Sequence, residues 1–126
     1  MEVLRIEKSP KTPFIELDPA GGVLTMEGRS IPEDPEAFFN GIYSAMLNYY
    51  KSPRKQTYFH FQFEYINSGS SKFILRFFNL IKKQYDLGND CIVNWYYEED
   101  DENILDLGQH YMNTFKLPFK FVEIYG

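Results

Sequence analysis

Tyr58-Phe59-His60-Phe61-Gln62-Phe63-Glu64-Tyr65-Ile66-Asn67-Ser68-Gly69-Ser70-Ser71-Lys72 is the stretch that decides the fold. Phe59, Phe61, Phe63 and Tyr65 alternate with Tyr58, His60, Gln62 and Glu64, so one face of a strand is apolar and the other mixed. A strand covered by helices on both faces is apolar throughout. This one, running from about Lys55 to Ile66, predicts a sheet with helices packed mainly on one face. From about Ser70 the period changes: Phe73, Phe77 and Ile81 form a helical stripe, widened by Ile74, Phe78 and Tyr85. The strand therefore runs directly into a helix, and three hydroxyls cluster at the junction. A helix start presents unpaired N–H groups and the positive end of the dipole, a place that suits a phosphate.

Outward from this junction the other elements follow. Val3 to Glu7 is a short first strand. Thr12 to Leu17 and Val23 to Glu27 read as a hairpin around Asp18-Pro19-Ala20-Gly21-Gly22. A first helix starts with Asp34 as cap and Pro35 at its first position, carries Phe38, Ile42, Met46 and Tyr49, and stops at Ser52-Pro53. Cys91, Val93, Trp95 and Tyr97 mark another strand. Ile104, Leu107, Tyr111 and Phe115 mark a third helix, and Phe119 to Ile124 a last strand after Pro118. The pattern predicts an α/β fold: one mixed sheet with two right-handed strand–helix–strand crossovers joining parallel strands. The carboxyl ends of parallel strands share one sheet edge, where α/β folds meet ligands and partners.

The 126 residues suit one domain, 1–126, and the 12 Phe and 10 Tyr argue for an ordered aromatic core. A formal charge of -5 without a basic block argues against nucleic acid as a partner. No apolar run approaches the ~20 residues of a membrane span, and Met1-Glu2-Val3-Leu4-Arg5 lacks a signal peptide's layout; a cytoplasmic protein without a membrane partner is expected. Cys91, the single cysteine, reads as a small core residue.

Catalytic patterns are missing. His60 and His110 with one cysteine make no zinc set. There is no Gly-x-Ser-x-Gly elbow, no phosphate-binding glycine loop and no dinucleotide fingerprint. The run Glu98-Glu99-Asp100-Asp101-Glu102 lacks the glycine of a calcium loop. No cofactor, no metal and no catalytic residue are expected. Tyr58, Tyr96 and Tyr97 fall on the less apolar face or its edge, where tyrosines anchor protein partners or stand half-buried with a wet hydroxyl.

Several stretches together resemble one family. These are Thr12-Pro13, Leu17-Asp18-Pro19, Gly28-Arg29-Ser30-Ile31-Pro32-Glu33, Phe38-Phe39, Tyr65-Ile66-Asn67-Ser68 with Ser70-Ser71-Lys72, and Asn94-Trp95-Tyr96-Tyr97 with the acidic run behind it. The chain resembles, over nearly its whole length, the SiaC family of bacterial regulatory phosphoproteins. The resemblance implies a fold like the anti-sigma-factor antagonists (STAS domains). It also implies a Ser or Thr after the asparagine that a cognate protein kinase phosphorylates and a PP2C-type phosphatase restores. The unmodified form would bind and activate a diguanylate cyclase, raising cyclic di-GMP and promoting biofilm or aggregation. Carried onto this chain, the modified residue is Ser68. Family members continue with hydroxyl residues where this chain has Gly69, so Ser70 and Ser71 stay as alternatives. The expected partner-binding set is Asn67, Gly69, Lys72, Tyr96, Tyr97, Glu98, Glu99 and Asp100.

A phosphate on Ser68 would add roughly −1.5 to −2 charges at a helix start, favoured there by ~0.3–1 kcal/mol at an exposed site. Lys72, one turn on, adds a screened attraction. If the strands carrying Tyr65 and Tyr97 are parallel neighbours, Glu98 to Glu102 lies near Ser68, and the phosphate deepens an acidic edge. Repulsion and lost shape fit, not refolding, would then release a partner. The residues alone also allow a constitutive binding module whose serines only cap the helix, and, much less readily, a small hydrolase.

Overall fold

The computed structural model describes residues 1–125. Its strands are β1 (Leu4–Ile6), β2 (Phe14–Asp18), β3 (Val23–Ser30), β4 (Gln56–Ile66), β5 (Asp90–Glu98) and β6 (Phe119–Ile124), and they form one six-stranded sheet in chain order. β1–β2 and β2–β3 pair antiparallel; β3–β4, β4–β5 and β5–β6 pair parallel. The sheet is mixed, as the alternating pattern and the hairpin predict. α1 (Pro35–Tyr49), α2 (Ser68–Asp86) and α3 (Glu102–Phe115) connect the parallel strands. There are thus three crossovers and not two: β3 serves both as the second arm of the hairpin and as the first strand of a crossover, and it extends to Ser30 rather than ending at Glu27. With strands in chain order and helices on one face, all three crossovers share one hand.

Burial alternates as the central strand requires. Phe59, Phe61 and Phe63 of β4 are buried with Val93 and Trp95 of β5, whereas Tyr58 and Glu64 are exposed and His60 and Gln62 half-covered. Ile42 and Met46 of α1, Ile74, Phe77 and Phe78 of α2, and Tyr111 and Phe115 of α3 complete the core. Phe78 is its hub: fully buried, edge-on to Phe61 at 5.6 Å and stacked with Phe115 at 5.6 Å and Phe119 at 5.8 Å. Burying such a ring stabilises by about 1.5–3 kcal/mol.

Two glycines carry the geometry. At Gly108 of α3 an added Cβ would lie 2.5 Å from Cδ1 and Nε1 of Trp95, so the indole packs where a side chain would otherwise stand. The indole Nε1 donates to the Ile104 carbonyl at 2.9 Å, which fixes the ring against the helix. At Gly28, with φ +125°, the β3–β4 register shifts: Gly28 pairs Phe63, then Arg29 pairs Tyr65, and Glu64 is the extra residue. This bulge inverts the alternation. Tyr65, expected on the apolar face, is 53% exposed, and Ile66 packs against the core in its place. Among the described residues no helix is long and apolar enough to cross a membrane.

Candidate functional site

All three helices begin where a parallel strand ends, so the starts of α1, α2 and α3 lie along the carboxyl edge of β3, β4 and β5. Each start has its own cap. Asp34 Oδ1 accepts from Ala37 N at 3.1 Å, Asn67 Oδ1 from Ser70 N at 2.8 Å, and Asp101 Oδ1 from Ile104 N at 3.0 Å. A side-chain oxygen at this position satisfies one of the helix's orphan donors.

The cap at α2 sorts the serine cluster. Asn67 is the N-cap and Ser68 the first helical residue, two positions earlier than the periodicity suggests. The chain turns there because the Asn67 N–H donates to the Ser30 carbonyl at 3.1 Å, tying the end of β4 to the end of β3. Ser70 is fully buried: its hydroxyl donates to the Ser30 carbonyl at 3.1 Å and accepts from the Ser30 hydroxyl at 2.8 Å. Ser71 is half-buried and its hydroxyl donates to the Asn67 carbonyl at 3.1 Å. Ser68 is exposed. Lys72, four residues on and exposed, shares its helix face, with Nζ 5.5 Å from the Phe73 ring centre.

Gly69 shows a neighbour that the sequence reading missed. A Cβ there would stand 3.2 Å from Pro35 Cγ, so the first turns of α1 and α2 abut. A glycine in a serine-rich helix start is the only sequence signal of that approach.

Tyr96, Tyr97, Glu98, Glu99 and Asp100 lie on the same edge, one strand over. The β4–β5 ladder runs from Gln56↔Asp90 to Phe61↔Trp95 and stops, while β3–β4 continues to Ile66 and β5–β6 to Ile124. The two strands diverge above Trp95, and a cavity of about 250 Å³ opens in the wedge, lined by Gln62, Phe63, Glu64, Tyr96, Tyr97, Glu98, Asp101 and Ile124. A second, of about 270 Å³, adjoins it across Glu64 and Asp101 and is further lined by Tyr65, Ile66, Asn103, Ile104 and Leu107. Glu99 and Asp100 are exposed and face a shallow hollow beside Ile124 and Tyr125. The junction at Ile66 and the acidic loop at Asp101 therefore border one cavity, whereas Ser68 and Lys72 line neither.

On the open sheet face His60 Nδ1 is 2.9 Å from the Tyr96 hydroxyl, a cross-strand pair that alternation alone does not reveal. Burial pulls the His60 imidazole below its ordinary value of 6.5. The folded state then binds that proton less tightly than the unfolded chain, so stability falls as pH drops through about 6.5 toward the lowered value. Denaturant unfolding followed from about pH 8 to about pH 5 should show this decline in the wild type and less of it in His60→Gln. An identical slope in both would assign the effect elsewhere. The Cys91 thiol is pushed up to about 12, chiefly by burial and further by the Asp90 charge, with Lys82 opposing; a thiol so held is inert. Among the described residues no three His, Cys, Asp or Glu side chains are grouped to hold a metal ion.

Residues 6–124 match the profile of the SiaC family regulatory phosphoproteins. An uncharacterised protein of Pseudomonas aeruginosa strain UCBPP-PA14 is 23% identical over 119 residues, 94% of either chain. Among solved structures, apo-SiaC of Pseudomonas aeruginosa superposes with a TM-score of 0.89 at 23% identity, over 97% of this chain and 99% of that one. The diguanylate cyclase SiaD in complex with its activator SiaC, also from Pseudomonas aeruginosa, contains a chain that matches with a TM-score of 0.91 at 21% identity, over 96% and 99%. A six-stranded mixed sheet with three helices, matched by the family profile over residues 6–124, makes this chain a member of the SiaC family of regulatory phosphoproteins.

Proposed function

We propose that this chain works by binding and not by catalysis. In its unmodified form it engages and activates a diguanylate cyclase in the cytoplasm, raising cyclic di-GMP and favouring biofilm or aggregation. A cognate kinase phosphorylates Ser68, a PP2C-type phosphatase restores it, and the modified form releases the cyclase. The supporting observation is the contrast within the serine cluster: Ser68 is exposed at the first position of α2, while the Ser70 and Ser71 hydroxyls are engaged with backbone. The constitutive alternative gave the serines a capping task, and Asn67 already performs it.

The physics favours a switch that leaves the fold intact. A phosphate on Ser68 adds roughly −1.5 to −2 charges beside the free N–H groups of α2, which welcome an anion. Lys72 on the same face helps to hold it. A bound partner would have to strip water from this dianion and make room for it. Binding is lost through desolvation and shape.

Affinity for the cyclase tests this. Ser68→Ala should bind within about twofold of the wild type, and Ser68→Asp at least about tenfold more weakly, a difference of ~1.4 kcal/mol. Circular dichroism should show all three equally folded. Equal affinity across the three would remove the switch from this residue.

A further inference from the structure

We propose that the wedge between the diverging ends of β4 and β5 is a socket for one basic side chain of a protein partner, arginine above lysine, with an adjoining socket for the aliphatic residue beside it. This rests on the reading of the carboxyl edge as the partner surface, and it names the chemistry that surface selects.

The wedge is built by the fold. The β4–β5 ladder ends at Phe61↔Trp95, and Trp95 is fully buried. Beyond that rung, β4 stays bound to β3 and β5 to β6, so the two strands are held apart from outside. At about 250 Å³ the cavity is below the usual ~300–1,000 Å³ range of small-molecule sites and suits a single long side chain. Its lining joins the aromatic and aliphatic side chains Phe63, Tyr96, Tyr97 and Ile124 to one amide, Gln62, and three carboxylates, Glu64, Glu98 and Asp101. Arginine answers both features at once, since its planar cation stacks on aromatic faces and forks onto carboxylates.

The charge is also free to be answered. Among the described residues, no cation lies within ion-pair distance of Glu98 or Asp101. Among the described residues Glu64 pairs only with Lys8, at 3.3 Å and with both side chains half in water, a contact of little energy. Asp101 uses Oδ1 to cap α3 and keeps its other oxygen. The neighbouring Glu99, Asp100 and Glu102 reinforce the negative field, which repels an anionic ligand. Across Glu64 and Asp101, the second cavity of about 270 Å³ offers Tyr65, Ile66, Ile104 and Leu107 to an apolar side chain, with Asn103 as its further polar lining. An aliphatic residue next to an arginine is therefore the motif that fits. Ser68 lines neither socket, so a phosphate there acts by its bulk and hydration elsewhere on the partner surface and does not occupy the socket for the basic side chain.

The experiment needs no cyclase. ¹⁵N-labelled protein is titrated with N-acetyl-leucyl-arginine amide and, separately, with the citrulline analogue, which has the same shape without the charge. The arginine peptide should give saturable amide shifts centred on Tyr96 to Asp101 and Glu64 to Ile66, weakening as salt is raised. The citrulline peptide should bind at least about fivefold more weakly. Glu98→Gln with Asp101→Asn, which keeps side-chain size and the α3 cap, should lose that preference while leaving the spectrum folded. Absence of saturable shifts, shifts centred elsewhere, or equal binding of the two peptides would overturn the proposal. None of these results bears on Ser68, whose test is cyclase affinity, so the two readings fail separately.

Discussion

Trp95→Ala is expected to lower the unfolding free energy by about 3–5 kcal/mol, the range for truncating a large buried aromatic ring. Trp95 has no exposed surface, and it touches Phe61 at 6.2 Å, Tyr111 at 5.7 Å and Phe119 at 6.3 Å between ring centres. Its backbone forms the last rung of the β4–β5 ladder, which alanine retains, so the loss is one of side-chain packing at the base of the wedge. The sharper test is its coupling to Gly108. Gly108→Ala brings a methyl within 2.5 Å of an indole held by a hydrogen bond on one side and aromatic rings on the others. That overpacking should cost about 1–3 kcal/mol net, even though alanine gains up to about 1 kcal/mol of helix propensity over glycine. With Trp95 replaced by alanine the collision vanishes and only the propensity remains. Gly108→Ala should then stabilise, a reversal of sign measurable by chemical denaturation of the four variants. Trp95→Phe, a milder cut at the same contact, serves if the alanine variant is too unstable to purify. Additive losses in both backgrounds would show that Gly108 is glycine for another reason.

Complete loss of phosphate incorporation is the expected result of Ser68→Ala when the protein is incubated with ATP and an extract of its source organism. Ser71→Ala should be labelled like the wild type. Ser70→Ala should also be labelled but should be less stable by about 1–3 kcal/mol, because it strands the buried Ser30 hydroxyl without its acceptor. Accessibility gives the reason. A kinase needs the hydroxyl in its own active site, and Ser70 would reach one only if the first turn of α2 came away from β3. Mass spectrometry of the labelled peptide reads out the position directly. Phosphate on Ser70 in the wild type would replace the exposed-hydroxyl account with one based on local unfolding.

The sheet and its helices were legible because their signals are local. Period-two alternation from Thr57 to Phe63, the Asp34-Pro35 start and the Gly21-Gly22 turn each constrain a few neighbouring residues, and each element appears within a few residues of its expected bounds. The phase of Tyr65 was not legible. The bulge at Glu64 follows from how β3 meets β4, and β3 lies more than thirty residues away in sequence. Nor does composition distinguish three clustered serines. Ser70 is buried because Ser30 faces it across forty positions of chain, and Gly69 is tight because Pro35 stands against it. Tyr96 to Asp100, the expected partner-binding residues of β5 and its acidic loop, could be placed on a sheet edge from sequence, but the wedge beside them could not.

By itself, then, the order of residues determined the class of fold, the acidic, aromatic character of the carboxyl edge and the family, all of which are written in short-range periodicity and motif. Tertiary structure alone decided which serine is open to solvent, which tyrosine turns outward and where the sheet splits. Those outcomes depend on hydrogen bonds and contacts between segments distant in the chain, and no local pattern encodes the partner that a buried hydroxyl or a strand end will meet.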